Sequence, residues 1–342
     1  MIRRLLLPLQ ALAVATTAKS FRDNPVIGSP RLNRWGLHVL RRRAAAAVAT
    51  WRRARLAALV PAEDREAFLR DGYLVKPNFL PQAQFEALRA EILAHRAPCR
   101  EFIDGSTMTR QLPLDPAALR DLPVAREALL SSRYLGLHAF IGAYRRRPYL
   151  FVQSVFSGVR DAPPDVQSHF HADTFHATVK SWLLLTPVAP GEAGFTYIPG
   201  SHRPSRRREA WERHVSLTAH AHQDRLTGEG SLRISEAELH RLGYAPPLKI
   251  AAAPNTLIIA DTSGFHRRGL SDGFACRISI WAYSRSNPFI PWWSGDPLPG
   301  PLHGMAARLL GHARRLLGMR ARSGWREATE ASPADPHRLP EA

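Results

Sequence analysis

Polar and apolar residues alternate in the segment that runs from His169 through Phe170, His171 and Ala172 to Asp173. On an extended chain, alternate side chains point to the same side, so His169, His171 and Asp173 share one face. Imidazole and carboxylate groups on a shared face are suited to bind a metal ion. The pattern therefore predicts extended chain here, as part of a β scaffold that carries a metal site.

Three other segments are typical of strands, and they flank a distal histidine and an arginine. Residues 178–187 and 256–261 are largely apolar, and His266 lies just beyond the second segment. The third, 276–283, places alternate residues on one face. That face carries Arg277, Ser279, Trp281 and Tyr283. Metal ligands at the ends of strands in a rigid sheet would have the fixed geometry that a metal needs.

One His-x-Asp pair and a distant histidine together make a 2-His-1-carboxylate set, which suits non-haem Fe(II) oxygenases. The pair alone is weak evidence, because the chain contains 15 histidines. Its weight increases because Arg277 follows His266 by eleven residues and could hold the carboxylate of a co-substrate. The combination points to an oxygenase.

Several segments, in this order along the chain, resemble the phytanoyl-CoA dioxygenase-like family of Fe(II)- and 2-oxoglutarate-dependent oxygenases. They are 68–75 with Phe79 and Leu80, then His171 and Asp173, then 195–202, then 266–269 and Arg277. The resemblance covers roughly residues 60 to 290 and implies a mainly β fold, a double-stranded β-helix (jelly roll, cupin-like) with helices packed outside. It also implies that His171, Asp173 and His266 bind Fe(II), that Arg277 binds the distal carboxylate of 2-oxoglutarate, and that O2 is consumed.

The remaining contacts to the co-substrate and substrate are less well defined by the sequence. Some relatives carry a small hydroxyl residue two positions after the distal histidine, where this chain has Arg268. A second cationic anchor for 2-oxoglutarate must then come from elsewhere. The candidates are Arg110 and Lys180 as cations, and Gln153 as a polar contact.

Three further histidines lie close to the motifs. His169 and His171 could begin a cupin-type metal site, but such a site needs a Glu shortly afterwards and residues 174–177 contain none. His171 and Asp173 are therefore preferred as ligands. His169 is expected to contact the ligand residues rather than the metal itself. His176 and His202 are candidates on the substrate side, and surface or turn roles remain open for both.

The net charge of +18 is concentrated near the two ends of the chain. Residues 1–60 are expected to form a basic helical extension, 61–295 the oxygenase domain, 296–326 a basic helix and 327–342 a disordered tail. In the extension, Leu40, Ala44, Val48 and Trp51 recur at helical spacing. This stripe could pack on the barrel and leave the arginines solvated, or it could lie on an anionic membrane.

The first fifteen residues have some features of a signal peptide, but Pro8 and Gln10 interrupt the short apolar run. A cytoplasmic location, peripheral to the inner membrane in one interpretation, is therefore favoured over export. Only two cysteines occur, Cys99 and Cys276, which is consistent with a reducing compartment. The chain contains no recognisable nucleic-acid-binding motif.

The expected reaction is hydroxylation of an unactivated C–H bond, coupled to conversion of 2-oxoglutarate to succinate and CO2. The basic ends favour an anionic or lipid-like substrate, such as an acyl-CoA. The alternatives are an inactive member of the same fold and a non-enzymatic basic protein that binds membrane or nucleic acid.

Overall fold

The computed structural model of the chain describes residues 7–291 and 325–337. The helix predicted for 296–326 lies almost entirely outside the described residues. The helices that the structure describes are α1 (Leu7–Leu12), α2 (Pro30–Arg34), α3 (Leu37–Leu56), α4 (Ala62–Asp71), α5 (Gln82–Ala94), α6 (Ala118–Asp121), α7 (Pro123–Leu129), α8 (Ser132–Gly142), α9 (Arg206–Thr218), α10 (Arg225–Gly228) and α11 (Glu236–Arg241). Within these ranges, no helix has both the length and the apolar character needed to cross a membrane.

The strands form two antiparallel sheets. They are β1 (Tyr73–Lys76), β2 (Ala97–Asp104), β3 (Thr107–Pro113), β4 (Tyr149–Ser157), β5 (Val179–Leu184), β6 (Phe195–Tyr197), β7 (Leu248–Lys249), β8 (Leu257–Asp261), β9 (His266–Arg268), β10 (Ala275–Ser284) and β11 (Arg326–Ala331). The large sheet has the order β1-β8-β5-β10-β4-β3-β2-β11, and the small sheet has the order β7-β6-β9.

The two sheets face each other across an apolar layer. Phe195 and Tyr197 of β6 pack in one buried cluster with Leu184, Ile258 and Ala260 of the large sheet. Two antiparallel sheets packed face to face, with helices outside, form the jelly-roll core that the family resemblance implied. The predicted fold class is confirmed.

The main hydrophobic core lies on the other side of the large sheet. Ile278, Ile280 and Ala282 of β10 alternate towards it and are almost completely buried. The helices that cover this face contribute Phe68, Leu88, Leu129 and Phe140. Removing these side chains from water is the main source of stability for this half of the molecule.

The opposite side of β10 is the surface that we call the site face. It carries Arg277, Ser279, Trp281 and Tyr283, which pair directly with Val155, Gln153, Phe151 and Tyr149 of β4. Residues directly opposite in antiparallel strands lie on the same side of the sheet. The predicted grouping of the four β10 residues is therefore confirmed.

The segment around His171 differs from the expected strand. Residues 169–173 do not form a regular strand, and His171 makes only isolated bridges, to Arg233 and to His266. The backbone is nevertheless fixed, because His171 and His266 exchange N–H···O bonds of 3.0 Å in both directions. The Asp173 N–H donates to the Thr262 carbonyl at 2.9 Å.

The buried face of helix α3 is opposite to the apolar stripe that includes Leu40 and Trp51. Leu40 and Trp51 are 66% and 43% exposed, whereas Arg41, Arg42 and Arg52 are buried. The alternative in which this stripe packs on the barrel is therefore wrong, and the membrane alternative remains a prediction. The arginines are tolerated inside because each has acceptors: Arg41 donates to the carbonyls of three residues of the N-terminal segment, Val14, Thr16 and Ala18.

The C-terminal tail was expected to be disordered from residue 327, but its described part is ordered by β pairing. Strand β11 pairs with β2 at the edge of the large sheet. Beyond it, the carbonyls of Ser332, Asp335 and Pro336 accept hydrogen bonds from Arg110. Composition did not predict this, because the segment is stabilised by a sheet edge and a buried arginine rather than by its own periodicity.

Candidate metal centre

Three side chains converge at one end of the space between the sheets. Their ligand atoms, one each from His171, Asp173 and His266, all lie within 4.8 Å of one another. Asp173 Oδ1 is 3.8 Å from His171 Nε2, and Asp173 Oδ2 is 3.7 Å from His266 Nε2. The arrangement could hold one metal ion on the open side of the three groups.

Both imidazoles are oriented through their Nδ1 atoms. His171 Nδ1 lies 2.8 Å from the His169 carbonyl oxygen, and His266 Nδ1 lies 3.0 Å from the Gly264 carbonyl oxygen. A carbonyl can only accept, so each Nδ1 carries the hydrogen and each Nε2 keeps its lone pair. His171 Nε2 is buried and has no hydrogen-bond partner among the described residues. An oriented, unpartnered imidazole nitrogen fits a metal ligand.

The charge states at neutral pH also suit metal binding. Burial lowers the pKa of His266 to about 4 and that of His171 well below its usual value, with Arg233 and the neighbouring ring adding to the shift at His171. Burial opposes ionisation of Asp173, but Lys180 and the two imidazoles hold the pKa of this carboxyl well below its usual range. Two neutral imidazoles and one carboxylate result.

Two lysines contact Asp173. Lys180 Nζ lies 2.7 Å from Asp173 Oδ2, and Lys19 Nζ donates to the Asp173 carbonyl at 2.5 Å. Burial lowers the pKa of Lys19 to about 8, against the attraction of Asp173. Lys19 was missed in the sequence because no local motif marks it, and only the folded N-terminal segment brings it to the site.

Arg277 lies on the site face with unused hydrogen-bonding capacity. Its Nη1 donates to the Ala193 carbonyl at 2.7 Å, whereas its buried Nε and the neighbouring Ser279 Oγ have no partner within the described part of the chain. Burial lowers the pKa of Arg277 to about 10, with Arg268 adding to the shift, so it remains a cation at neutral pH. A guanidinium N–H beside a hydroxyl is suited to hold a carboxylate.

Arg268 is committed to another acid, because its Nη1 lies 2.8 Å from Asp165 Oδ2. Gln153 is buried on the site face opposite Ser279, and its suggested contact with the co-substrate remains a prediction.

The structure places the two candidate cationic anchors away from Arg277. Lys180 pairs across from Tyr283, six residues along β10 from Arg277, which is roughly 20 Å of extended chain. The Lys180 ammonium group is already paired with the Asp173 carboxylate, so Lys180 serves the Asp173 end of the site. Arg110 is ion-paired with Glu101 at 2.6 Å and lies on the side of β3 opposite the site face. The suggestion that Arg110 is an anchor is therefore wrong.

The two substrate-side histidines occupy buried positions. The His202 ring packs 5.4 Å from the ring of Phe68, and a Cβ on Gly72 would lie 2.4 Å from its Nδ1. His202 thus packs beneath α4, and its suggested role on the substrate side remains a prediction. His176 is buried beside Phe175, with Nδ1 2.9 Å from the Ala177 carbonyl oxygen, and its suggested role remains a prediction.

Comparison with protein families supports the interpretation of this site. Residues 68–230 match the family model described as Phytanoyl-CoA dioxygenase (PhyH). This match confirms the resemblance predicted from the sequence. Together with the three converging side chains, it identifies an oxygenase-type domain of the iron- and 2-oxoglutarate-dependent kind.

Solved structures with low sequence identity are also similar. The non-heme alpha ketoglutarate dependent epimerase SnoN from nogalamycin biosynthesis is 18% identical, with 71% of this chain and 93% of that chain covered and a TM-score of 0.41. HygX from Streptomyces hygroscopicus, with nickel, 2-oxoglutarate and hygromycin B bound, is 16% identical over 66% and 87%, with a TM-score of 0.38. EctD from S. alaskensis with bound Fe is 16% identical over 70% and 82%, with a TM-score of 0.39.

These scores are low, and the fold assignment rests on the strand order described above. No curated protein matches the chain in sequence.

Proposed function

We propose that this protein is an Fe(II)- and 2-oxoglutarate-dependent dioxygenase that hydroxylates an unactivated C–H bond of a small or lipid-like anionic substrate. The observation that carries the proposal is the convergence of two neutral imidazoles and one carboxylate within 4.8 Å, with a buried Nε2 left unpartnered. This is the ligand set of non-haem Fe(II) oxygenases, which leaves coordination positions open for co-substrate and O2.

In this proposal His171, Asp173 and His266 hold Fe(II), and the carbonyls of His169 and Gly264 fix the two imidazole planes. Arg277, with Ser279 beside it, binds the distal carboxylate of 2-oxoglutarate. The planar guanidinium orients that end of the co-substrate. When bound, Fe(II) with 2-oxoglutarate and O2 supplies the oxidising power for C–H hydroxylation, and 2-oxoglutarate leaves as succinate and CO2.

The carboxylate of Asp173 favours hydroxylation over halogenation. Related halogenases replace the carboxylate ligand with a small residue to admit halide, and this chain retains Asp173 next to the two histidines. Product analysis distinguishes hydroxylation from epimerisation or ring closure, because only hydroxylation adds an oxygen atom to the substrate.

The experiment that tests the proposal is succinate release from 2-oxoglutarate by the purified full-length protein. We expect release to require both Fe(II) and O2 and to be lost in Asp173→Ala. A panel of acyl-CoAs, phosphorylated lipids and small carboxylic acids should contain compounds that increase it. Succinate formation that is the same in Asp173→Ala as in the native protein would assign the protein to the alternatives, an inactive member of the fold or a basic binding protein.

A second function, peripheral contact with an anionic membrane, is favoured by one exposed surface that we call the Trp face. It consists of Trp35, Leu40 and Trp51, which are 79%, 66% and 43% exposed, with Arg43 and Arg55 exposed alongside. Exposed Trp and Leu next to arginines are typical of helices that lie at a membrane interface. The arginines of the extension do not all contribute to such a surface, because Arg41, Arg42 and Arg52 are buried.

Liposome sedimentation tests the membrane contact. We expect binding to vesicles that contain phosphatidylglycerol, weaker binding at high salt, and loss of binding in Leu40→Ser/Trp51→Ser. The basic control is Arg126→Gln, in α7 and away from the Trp face. Equal sedimentation of the Ser variant and the native protein would remove the membrane proposal without affecting the oxygenase proposal.

A further inference from the structure

Lys19, in the N-terminal segment, contacts a residue of the proposed metal centre. Lys19 Nζ bonds to the Asp173 carbonyl, and its charged neighbours besides Asp173 are Lys180, Arg233 and Arg285. Arg233 also forms the backbone bridge to His171. Three further cationic side chains therefore lie near Lys19, which reaches Asp173 from a segment outside the family motifs.

Lys19 is held in place by contacts at its own carbonyl and at the residues that follow it. The N–H groups of Phe21 and Arg22 both donate to the Gly228 carbonyl, at 2.9 and 3.0 Å. The Phe21 side chain is buried in a cluster that includes Leu232. Gly230 has a φ of +83°, and a Cβ there would lie 2.2 Å from the Lys19 carbonyl oxygen. This close approach requires glycine.

The chain that supports Lys19 also supports the metal ligands. Residues just beyond Gly230 run alongside the ligand segment, where the Ala172 N–H donates to the Leu232 carbonyl at 3.0 Å and the Ser231 hydroxyl donates to the Ala172 carbonyl at 3.2 Å. Lys19 is therefore positioned relative to His171 and Asp173 by the fold.

We propose that Lys19, Lys180, Arg233 and Arg285 form a substrate-binding pocket, here named the anion pocket, which binds a carboxylate or phosphate group of the substrate next to the metal. The inference rests on the proposed oxygenase function and names the substrate class of that site. In this proposal Lys19 determines substrate specificity, because its segment lies outside residues 68–230, the part of the chain that matches the family model.

The charge balance supports an anionic ligand. Asp224 and Asp104 partly offset Arg233, but Asp173 is the acid that attracts Lys19 and that pairs with Lys180. Fe(II) at the site would add two positive charges, and the keto-acid end of 2-oxoglutarate would return only one negative charge. Because uncompensated charge is costly in a partly buried site, the excess of positive charge favours a substrate that carries an anionic group.

The pocket is also open to an incoming group. The side chains of Asp173 and Lys180 are 20% and 23% exposed, and Arg285 is exposed. In contrast, the two imidazoles are 2% and 6% exposed. A substrate that enters from this side meets Lys180 and Arg285 before it reaches the two imidazoles, so an anionic group would be held there while another part of the molecule lies nearer the metal.

Calorimetric titrations of the full-length protein test the proposal with three ring-bearing probes. Phenyl phosphate and benzoate carry the two anionic groups, and benzamide is the neutral control. Each is titrated with Ni(II) and 2-oxoglutarate present, Ni(II) standing in for Fe(II) without turnover, and again without metal. We expect at least one anion to bind and benzamide not to bind, and the stronger anion identifies the group as phosphate or carboxylate.

Variants then assign the binding to the anion pocket. Lys19→Met should weaken anion binding about tenfold or more, as expected for loss of one hydrogen bond between charged groups. Lys19→Arg should largely retain binding, which separates lost charge from a loosened segment. Lys249→Met, an exposed lysine on β7, is the matched control and should bind as the native protein does.

The outcomes for the pocket and for the oxygenase are separable. Equal affinities in Lys19→Met and Lys249→Met, or anions that bind no better than benzamide, overturn the anion pocket even when Ni(II) and 2-oxoglutarate bind normally. Anion binding that depends on Lys19 in the metal-free protein supports the pocket even if no metal binds.

Discussion

Arg208 Nε donates a 2.8 Å hydrogen bond to Glu212 Oε1, and both side chains are almost completely buried. The same carboxylate lies 3.1 Å from Arg42 Nη1 and 3.1 Å from His38 Nε2, which both belong to α3. Arg208 also donates to the Ser263 carbonyl in the turn that precedes His266. This buried network joins the N-terminal helix, α9 and a turn next to the metal ligands, so residues 37–56 are part of the folded domain rather than an appended extension.

Glu212→Gln is expected to lower the free energy of unfolding by about 3–5 kcal/mol, because it leaves two buried arginines without their carboxylate. Glu209→Gln, one turn away, is the matched control, since its partner Arg43 is largely exposed and the pair is screened by water. Urea unfolding of both variants measures the difference. Similar midpoints for the two variants would contradict this account of the network.

The same carboxylate makes stability depend on pH in a defined direction. Burial alone would raise the pKa of Glu212, but Arg42 and Arg208 hold it below its usual value. Its contribution is therefore fully present above the unfolded-state pKa of about 4.3 and is lost as the pH falls through the lower folded-state pKa. The difference in unfolding free energy between native protein and Glu212→Gln should be constant from pH 7 to 5 and shrink below about pH 4. A difference that grows on acidification has the wrong sign for this explanation.

Arg277→Lys should raise the apparent KM for 2-oxoglutarate roughly 10- to 150-fold, since lysine keeps the charge but loses the planar fork. Arg110→Lys is a useful comparison, because Arg110 contacts Glu101 and the C-terminal segment on the other side of the sheet. It should destabilise the protein and leave that KM unchanged. Initial rates of succinate release measure both, and a normal KM in Arg277→Lys would show that this residue has another role.

The C-terminal segment is expected to stabilise the fold. A chain that ends at Gly324 lacks β11 and leaves Arg110 and Ser154 without the carbonyl acceptors of residues 332–336. Its thermal midpoint should fall by about 2–8 °C, the shift expected for a chain of this size that loses one or two such buried hydrogen bonds. A chain that ends at His337 retains all of these contacts and should melt with the full-length protein. Indistinguishable melting curves for all three chains would contradict this account and agree with the disordered tail expected from composition.

The sequence predicted the parts of the site that depend on local pattern. Alternation along β10 placed Arg277 and Ser279 on one face, because a strand buried on both sides keeps a period of two whatever its neighbours are. The short spacing of His171 and Asp173 was likewise visible. The reciprocal backbone pairing of His171 with His266 was not predicted, since the two residues are 95 positions apart and nothing local specifies their contact.

The buried face of α3 and the role of Lys19 were missed for one physical reason, which is that burial of charge depends on distant partners. The apolar stripe of α3 was correctly identified as helical, but which face is buried is decided by Glu212, far along the chain. Lys19 became a site residue for the same reason, because Gly228 and Gly230 dock the N-terminal segment. Periodicity indicates a helix or strand, whereas the position of a counter-charge decides which cations can be buried.

The central claim, that His171, Asp173 and His266 form one Fe(II) site, is tested most directly by anaerobic titration of Fe(II) into the full-length protein and its variants. The native protein and His169→Ala should each bind one equivalent, because the exposed His169 contributes only its backbone carbonyl to the site. His171→Ala, Asp173→Ala and His266→Ala should each bind at least about tenfold more weakly. Unchanged iron binding in these three variants, or loss of binding in His169→Ala with the other three intact, would contradict the assignment.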